Sequence, residues 1–140
     1  MNKKTNASNN KPMMNFIYYG LIGFGMEILW TGLCSLRNGD LTMKSTTSLW
    51  MFFIYGLGAF LEPLFILLEG VPIILRGMIY TVLIFSAEYA TGYFLERSIG
   101  RCPWNYGSGS LSVYGLIRLD YMPIWFAVGL FYEYIYFVML

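Results

Sequence analysis

Glu27, Glu62, Glu88 and Glu133 each stand near the middle of a separate long apolar stretch, and those stretches make up most of the 140-residue chain. A charged side chain at the centre of a bilayer costs about 2.5 to 3.5 kcal/mol on insertion scales, so four ionised carboxylates facing lipid would cost on the order of 10 to 14 kcal/mol. The chain therefore folds only in ways that keep them neutral, paired, or turned inward.

The surroundings of these glutamates exclude most soluble chemistry. The chain is 57% hydrophobic and 12% charged, with mean hydropathy +0.55, against the about 25% charged residues of a soluble domain. It reads as an integral membrane protein in contact with the lipid bilayer. Net charge is +1 and no basic patch lies beyond the N-terminal tail, so nucleic acid is not an expected partner. Histidine is absent, which removes the common general base, the Ser-His-Asp and Cys-His arrangements and the Glu-x-x-His metal site of helical bundles. No enzyme activity, metal or cofactor is expected. Cys34 and Cys102 lack the spacing of a zinc or redox motif and read as inert thiols. None of Lys3, Lys4, Lys11 and Lys44 sits in a phosphate loop, so any coupling to ATP requires a separate ATPase subunit.

Along the chain, residues 1–12 are polar and rich in lysine and asparagine, which predicts a disordered tail. A first apolar span runs from about Met14 to Leu36, too long for a signal-peptide core. Asn38-Gly39-Asp40 marks a turn. The second span, Ser48 to Leu68, contains Pro63, which should kink it and release the carbonyl near Ala59. The third runs from about Leu75 to Leu95, with Arg76 placed to snorkel to the interface. The fourth runs from Met122 to Leu140. The expected fold is thus an all-α membrane protein, one domain over residues 13–140, with four transmembrane helices in an up-down bundle. A long, partly ordered loop over 96–121 joins helices three and four and packs against the bundle mouth or re-enters it. Such loops are usually functional. Tyr18, Tyr19, Trp50 and Trp125 read as interfacial belts. Both termini fall on one side, read as cytoplasmic because the tail lysines suit the anionic leaflet, in a multi-pass protein of the cell membrane.

Each glutamate has a glycine four residues away: Gly23, Gly58, Gly92 and Gly129. That spacing puts both on one helix face, and small residues there let helices approach closely. The carboxylates are therefore expected to point inward in two layers, Glu27 with Glu88 and Glu62 with Glu133. Arg118, in the hydrophobic part of the loop, is the expected counter-ion to Glu27 or Glu88. One outcome is a polar pathway or chamber for a proton, a cation, or an amine-bearing or lipid head group. The plainer alternative has the glutamates hold the helices together by hydrogen bonds to Tyr55, Thr81 or Thr91.

The loop carries Cys102-Pro103-Trp104-Asn105-Tyr106 and Gly115-Leu116-Ile117-Arg118-Leu119-Asp120-Tyr121. Together with Glu27, Tyr55-Gly56, Glu62, Glu88, Thr91-Gly92 and Trp125 to Glu133, these motifs resemble the bacterial membrane proteins catalogued as ABC-transporter permeases of the CmpB type. The pattern is shared with the eukaryotic transmembrane protein 229 family. The resemblance covers residues 15–135 and departs at Asn105, where the family pattern usually has Asp. It implies a membrane-embedded transporter subunit that would need a separate ATPase, and a homo- or hetero-oligomer is expected. The candidate binding or pathway residues are Glu27, Glu62, Glu88, Glu133, Arg118, Trp104, Asn105, Tyr106 and Asp120. The rival reading is a non-transporting scaffold or accessory protein that binds a partner or lipid through the loop. A lipid enzyme would have carboxylates alone to work with.

Overall fold

The computed structural model describes residues 11–140 and is mostly helical. The disordered-tail reading lies outside the described residues except at Lys11 and Pro12, which open the first helix instead. Proline suits that place because an N–H in the first turn has no helical acceptor to lose. Four helical segments are long and apolar enough to cross a membrane: Lys11–Arg37, Leu49–Leu67, Ile73–Ile99 and Leu119–Met139. The chain divides between Leu61 and Glu62 into two compact units.

The first unit holds α1 (Lys11–Arg37), α2 (Leu49–Gly56) and a 3-10 segment (Leu57–Leu61). At the end of α1 the Asn38 amide still reaches Cys34 O at 3.1 Å, and Gly39 takes the left-handed φ of +92° that ends the helix. Asp40 then organises the turn. Its Oδ1 accepts from the Thr42 hydroxyl at 2.6 Å and the Thr42 amide at 2.9 Å, and its Oδ2 from Ser35 Oγ at 3.0 Å. Those bonds, Thr42's first, hold the Asp40 carboxyl below its usual value. Ser48 caps α2 by accepting from the Trp50 amide at 3.3 Å. Close approach of α1 and α2 depends on glycine. A Cβ on Gly20 would stand 2.8 Å from the Phe52 carbonyl oxygen, and one on Gly56 would meet the Phe16 ring at 2.7 Å.

The second span is not one uniform helix. The 3-10 segment separates α2 from α3 (Glu62–Leu67), which starts one residue before Pro63. Pro63 has no N–H to give the carbonyl at Ala59, and its ring crowds the preceding turn, so the tighter 3-10 winding stands where an α-turn would clash.

The second unit holds α3, α4 (Ile73–Ile99), a short antiparallel hairpin of β1 (Ser112–Val113) and β2 (Ile117–Arg118), a 3-10 turn (Leu119–Tyr121) and α5 (Met122–Met139). Fully buried Phe65 anchors α3, its ring edge-on to Tyr80 at 5.2 Å and 5.9 Å from Tyr136. Where α4 meets α5, Gly77 lies under the Phe126 ring and Gly129 under Tyr80. Gly100, at φ +81°, ends α4 with its amide on Glu96 O at 3.0 Å. The connection therefore starts later and ends earlier than 96–121. The hairpin turn sets Tyr114 at φ 52° and Gly115 at φ 69°, closed by Leu116 N–H to Val113 O at 3.0 Å. Trp50 and Tyr18 are exposed as an aromatic belt requires, but Tyr19 and Trp125 are buried and belong to the interior instead.

Candidate functional site

Glu27, Glu133 and Glu88 each accept a hydrogen bond from a tyrosine hydroxyl. In the first unit Tyr55 donates to Glu27 Oε2 at 2.6 Å. In the second, Tyr80 donates to Glu133 Oε1 at 2.8 Å and Tyr106 donates to Glu88 Oε1 at 2.5 Å. Glu88 and Glu133 are 5% and 6% exposed, whereas Glu27 and Glu62 are half-buried. Phenol is well suited to this place: it ionises near pH 10, so it gives a carboxylate a proton to share while adding no charge. Of the partners suggested by sequence, Tyr55 holds Glu27. Thr81 and Thr91 instead donate to carbonyls of their own helix, at Gly77 and Ala87, both at 2.7 Å.

Glu133 also has a cation. Arg76 Nη1 lies 3.4 Å from its Oε1 and donates to Glu69 O at 3.3 Å. The Arg76 side chain, 18% exposed, turns to the buried Glu133 carboxylate. Tyr80 stands one turn further along α4 from Arg76, so both meet Glu133 from one helix face. Glu88 lies about 12 Å beyond Tyr80 along the same helix.

The loop brings its own phenol to Glu88. Trp104 Nε1 donates to Leu116 O at 2.9 Å, the Tyr106 amide to Gly115 O at 2.9 Å, and the Leu119 amide to Leu111 O at 2.9 Å. These bonds clasp the two loop motifs together. Asn105 Oδ1 accepts from the Gly107 amide at 2.8 Å, a turn-forming role that an Asp would also fill. Leu116, 3% exposed, and Trp104 both come to 3.0 Å of where a Cβ on Gly92 would be. The glycine one turn from Glu88 thus seats the loop rather than another spanning helix. Seated there, Tyr106 reaches Glu88 about 16 Å along α4 from Ile99.

Arg118 is not the counter-ion of Glu27 or Glu88. Its Nε pairs with Asp120 Oδ1 at 2.7 Å, both side chains partly exposed, and its guanidinium lies 5.5 Å from the Tyr121 ring centroid. Its backbone is extended at φ −135°, and Asp120 two residues on lies within reach on the same side. The hydrogen bond and charge of Asp120 raise the Arg118 guanidinium further above its normal value. Tyr121 packs edge-on against Tyr106 at 5.3 Å. Trp104, Asn105, Tyr106, Arg118 and Asp120 thus all belong to the loop and its seat, with Glu88 at its inner end. Glu27 belongs to the other unit, and Glu62 opens α3 directly before Pro63.

Sequence reasoning did not place Tyr80, Arg76 or Tyr121 among the candidate site residues. Tyr121 was signalled by its place beside Arg118 and Asp120; Tyr80 and Arg76 share the Glu133-facing side of α4 but carry no local mark of it. Among the described residues no group of three or more histidine, cysteine or carboxylate side chains could hold a metal ion.

Cys102 packs toward Gly92, where burial, with Glu96 and Glu88 nearby, pushes its thiol above the usual value. Only thiolate reacts quickly. In native protein at pH 7.5, maleimide should label Cys102 several-fold more slowly than after unfolding in detergent, as read by peptide mass spectrometry. Equal rates would show that the thiol is not held by this packing.

A family model described as "Putative ABC-transporter type IV" matches residues 14–140. No solved structure matches the chain.

Proposed function

We propose, from the premise that the chain belongs to the ABC-transporter type IV family, that it is the membrane subunit of a transporter whose cargo or coupling ion passes carboxylates held by tyrosines. The chain is a multi-pass membrane protein by its family and its four apolar helices. Three tyrosine-held glutamates within apolar helices carry the reading. Glutamates used only to join helices would be served by any fixed donor. A phenol on a loop, as at Glu88, is a neutral donor whose turning aside would leave the carboxylate facing an arriving cation or proton without stranding a positive charge.

In this reading the protein does no covalent chemistry. A separate ATPase subunit supplies energy, and the termini face the cytoplasm at the cell membrane, where such a subunit docks. Assembly with that subunit, or with further copies of the chain, completes the transporter.

Single replacements Glu27→Gln, Glu62→Gln, Glu88→Gln and Glu133→Gln test it by flux in proteoliposomes or cells lacking the native copy. Glu88→Gln is expected to lower flux at least tenfold, because the loop delivers a dedicated phenol to that carboxylate. If none of the four alters flux, transport by this route is wrong. The scaffold reading then takes its place, favoured by Tyr114, 84% exposed on the hairpin turn beside a cleft of about 500 Å³ that Asn105, Ser108 and Ser112 also line.

A further inference from the structure

From the partly exposed Arg118 and Asp120 inward, a line of contacts leads to a buried carboxylate. Asp120 holds Arg118 at 2.7 Å; the Arg118 guanidinium covers the Tyr121 ring at 5.5 Å; Tyr121 packs on Tyr106 at 5.3 Å; and the Tyr106 hydroxyl bonds Glu88 at 2.5 Å. Outer carboxylate, two phenol rings and inner carboxylate together form a site for positive charge. Aromatic faces attract a cation through the ring quadrupole, and the attraction grows as water is removed. Arg118 is at once part of this line and a sample of what it accepts.

The chemistry narrows the class of cation. Magnesium and calcium hold their water strongly and take several oxygen ligands, and among the described residues no cluster provides them. A guanidinium or alkylammonium ion is weakly hydrated and rests on aromatic faces while bonding a carboxylate. Arg97, the other loop-side arginine that stacks on a ring, is held elsewhere, its Nε on the Tyr93 hydroxyl at 3.1 Å. It does not compete for Tyr121.

We infer, building on the transport reading, that Asp120, Tyr121, Tyr106 and Glu88 form an entry site for a monovalent organic cation of the guanidinium or alkylammonium class, and that Arg118 is its tethered competitor. A cargo cation displaces the guanidinium from Asp120 and Tyr121 and then meets Glu88 as Tyr106 turns aside. Removing Arg118 takes the tethered cation from Asp120 and from the Tyr121 ring, so an external cation should bind better, not worse. A purely structural ion pair predicts no such gain.

Calorimetric titration of the full chain in nanodiscs with methylguanidinium chloride decides the matter. Arg118→Gln is expected to tighten binding at least tenfold over the native chain. Adding Tyr121→Leu should abolish that gain, while adding Tyr121→Phe, which keeps a ring, should preserve most of it. Arg118 is partly exposed, so its replacement leaves the packed loop core in place. Binding no tighter in Arg118→Gln, a gain that survives Tyr121→Leu, or no binding in any variant would each overturn the inference. Flux that depends on Glu88 with no methylguanidinium binding would refute this cargo class and leave the transport reading standing; binding without glutamate-dependent flux would do the reverse.

Discussion

Gly129→Val should destabilise the second unit by about 3 kcal/mol or more, the upper end of what forced overpacking costs. A Cβ at that position would lie 2.5 Å from Tyr80 Cβ, and that atom cannot swing aside as the tip of a long side chain could. Relief has to come from separating α4 and α5, which also lifts Phe126 from Gly77. Separation weakens the 2.8 Å bond from Tyr80 to Glu133 as well, so packing and polar terms fail together. Unfolding by sodium dodecyl sulfate in mixed micelles, followed by circular dichroism, measures the loss. Gly25→Val serves as the control, because nothing lies within 4 Å of a Cβ there; it should change stability by under about 1 kcal/mol, since glycine is itself the poorer helix former. Equal effects at the two sites would mean that the Gly129 contact does not hold the helices.

What the sequence discloses of this molecule is what depends on near neighbours. Apolar runs of membrane-spanning length reveal the four spans because the bilayer demands about 20 such residues whatever they later touch. Pro63 announces the 3-10 break because its missing N–H and its ring act on the turn just before it. The placing of Glu88 and Glu133 among apolar residues announces that they must be sheltered. Which groups shelter them is another matter. Tyr80 and Glu133 are 53 positions apart, Tyr55 and Glu27 are 28 apart, and Tyr106 and Glu88 are 18 apart. No periodicity links such pairs, and a tyrosine near a helix end carries the ordinary meaning of an interface residue. The Arg118 reading erred in the opposite direction, by seeking a distant partner when Asp120 stood two residues away. Arg76 was read from its place near a helix start, where long cations commonly reach for water. Only the arrival of α5 beside it supplies the carboxylate that turns it inward. The glycines divide in the same manner: Gly92 and Gly129 were singled out by their glutamates, while Gly20, Gly56 and Gly77, which make equally close contacts, were marked by nothing local.

Glu133→Ala should cost about 2 to 3 kcal/mol, at or below the foot of the about 3 to 5 kcal/mol lost when one member of a buried ion pair is removed, since Arg76 keeps some access to water. The size of that loss depends on which term dominates. A lost hydrogen bond between membrane helices is worth about 0.6 kcal/mol on average and seldom more than about 1.7 kcal/mol. Tyr80→Phe removes only such a bond and should stay within that range. Glu133→Ala removes the same bond and also strands the Arg76 guanidinium, whose side chain is 18% exposed, against apolar neighbours. Charge stranding is therefore the larger part, and it can be separated. Replacing Arg76 by Met along with Glu133→Ala leaves no buried charge, so the double variant should recover at least half of the loss despite carrying one more substitution. A double-mutant cycle on detergent unfolding reads this directly. A double variant less stable than Glu133→Ala would show that Arg76 stabilises the unit without Glu133, through Glu69 O alone, and that the carboxylate is not its anchor. Recovery would mean that Glu133 is held by a cation that cannot leave, whereas Glu88 accepts from a neutral phenol carried by a loop. The two buried carboxylates would then divide the work, Glu133 fixing α5 to α4 and Glu88 remaining free to exchange its partner for a passing cation.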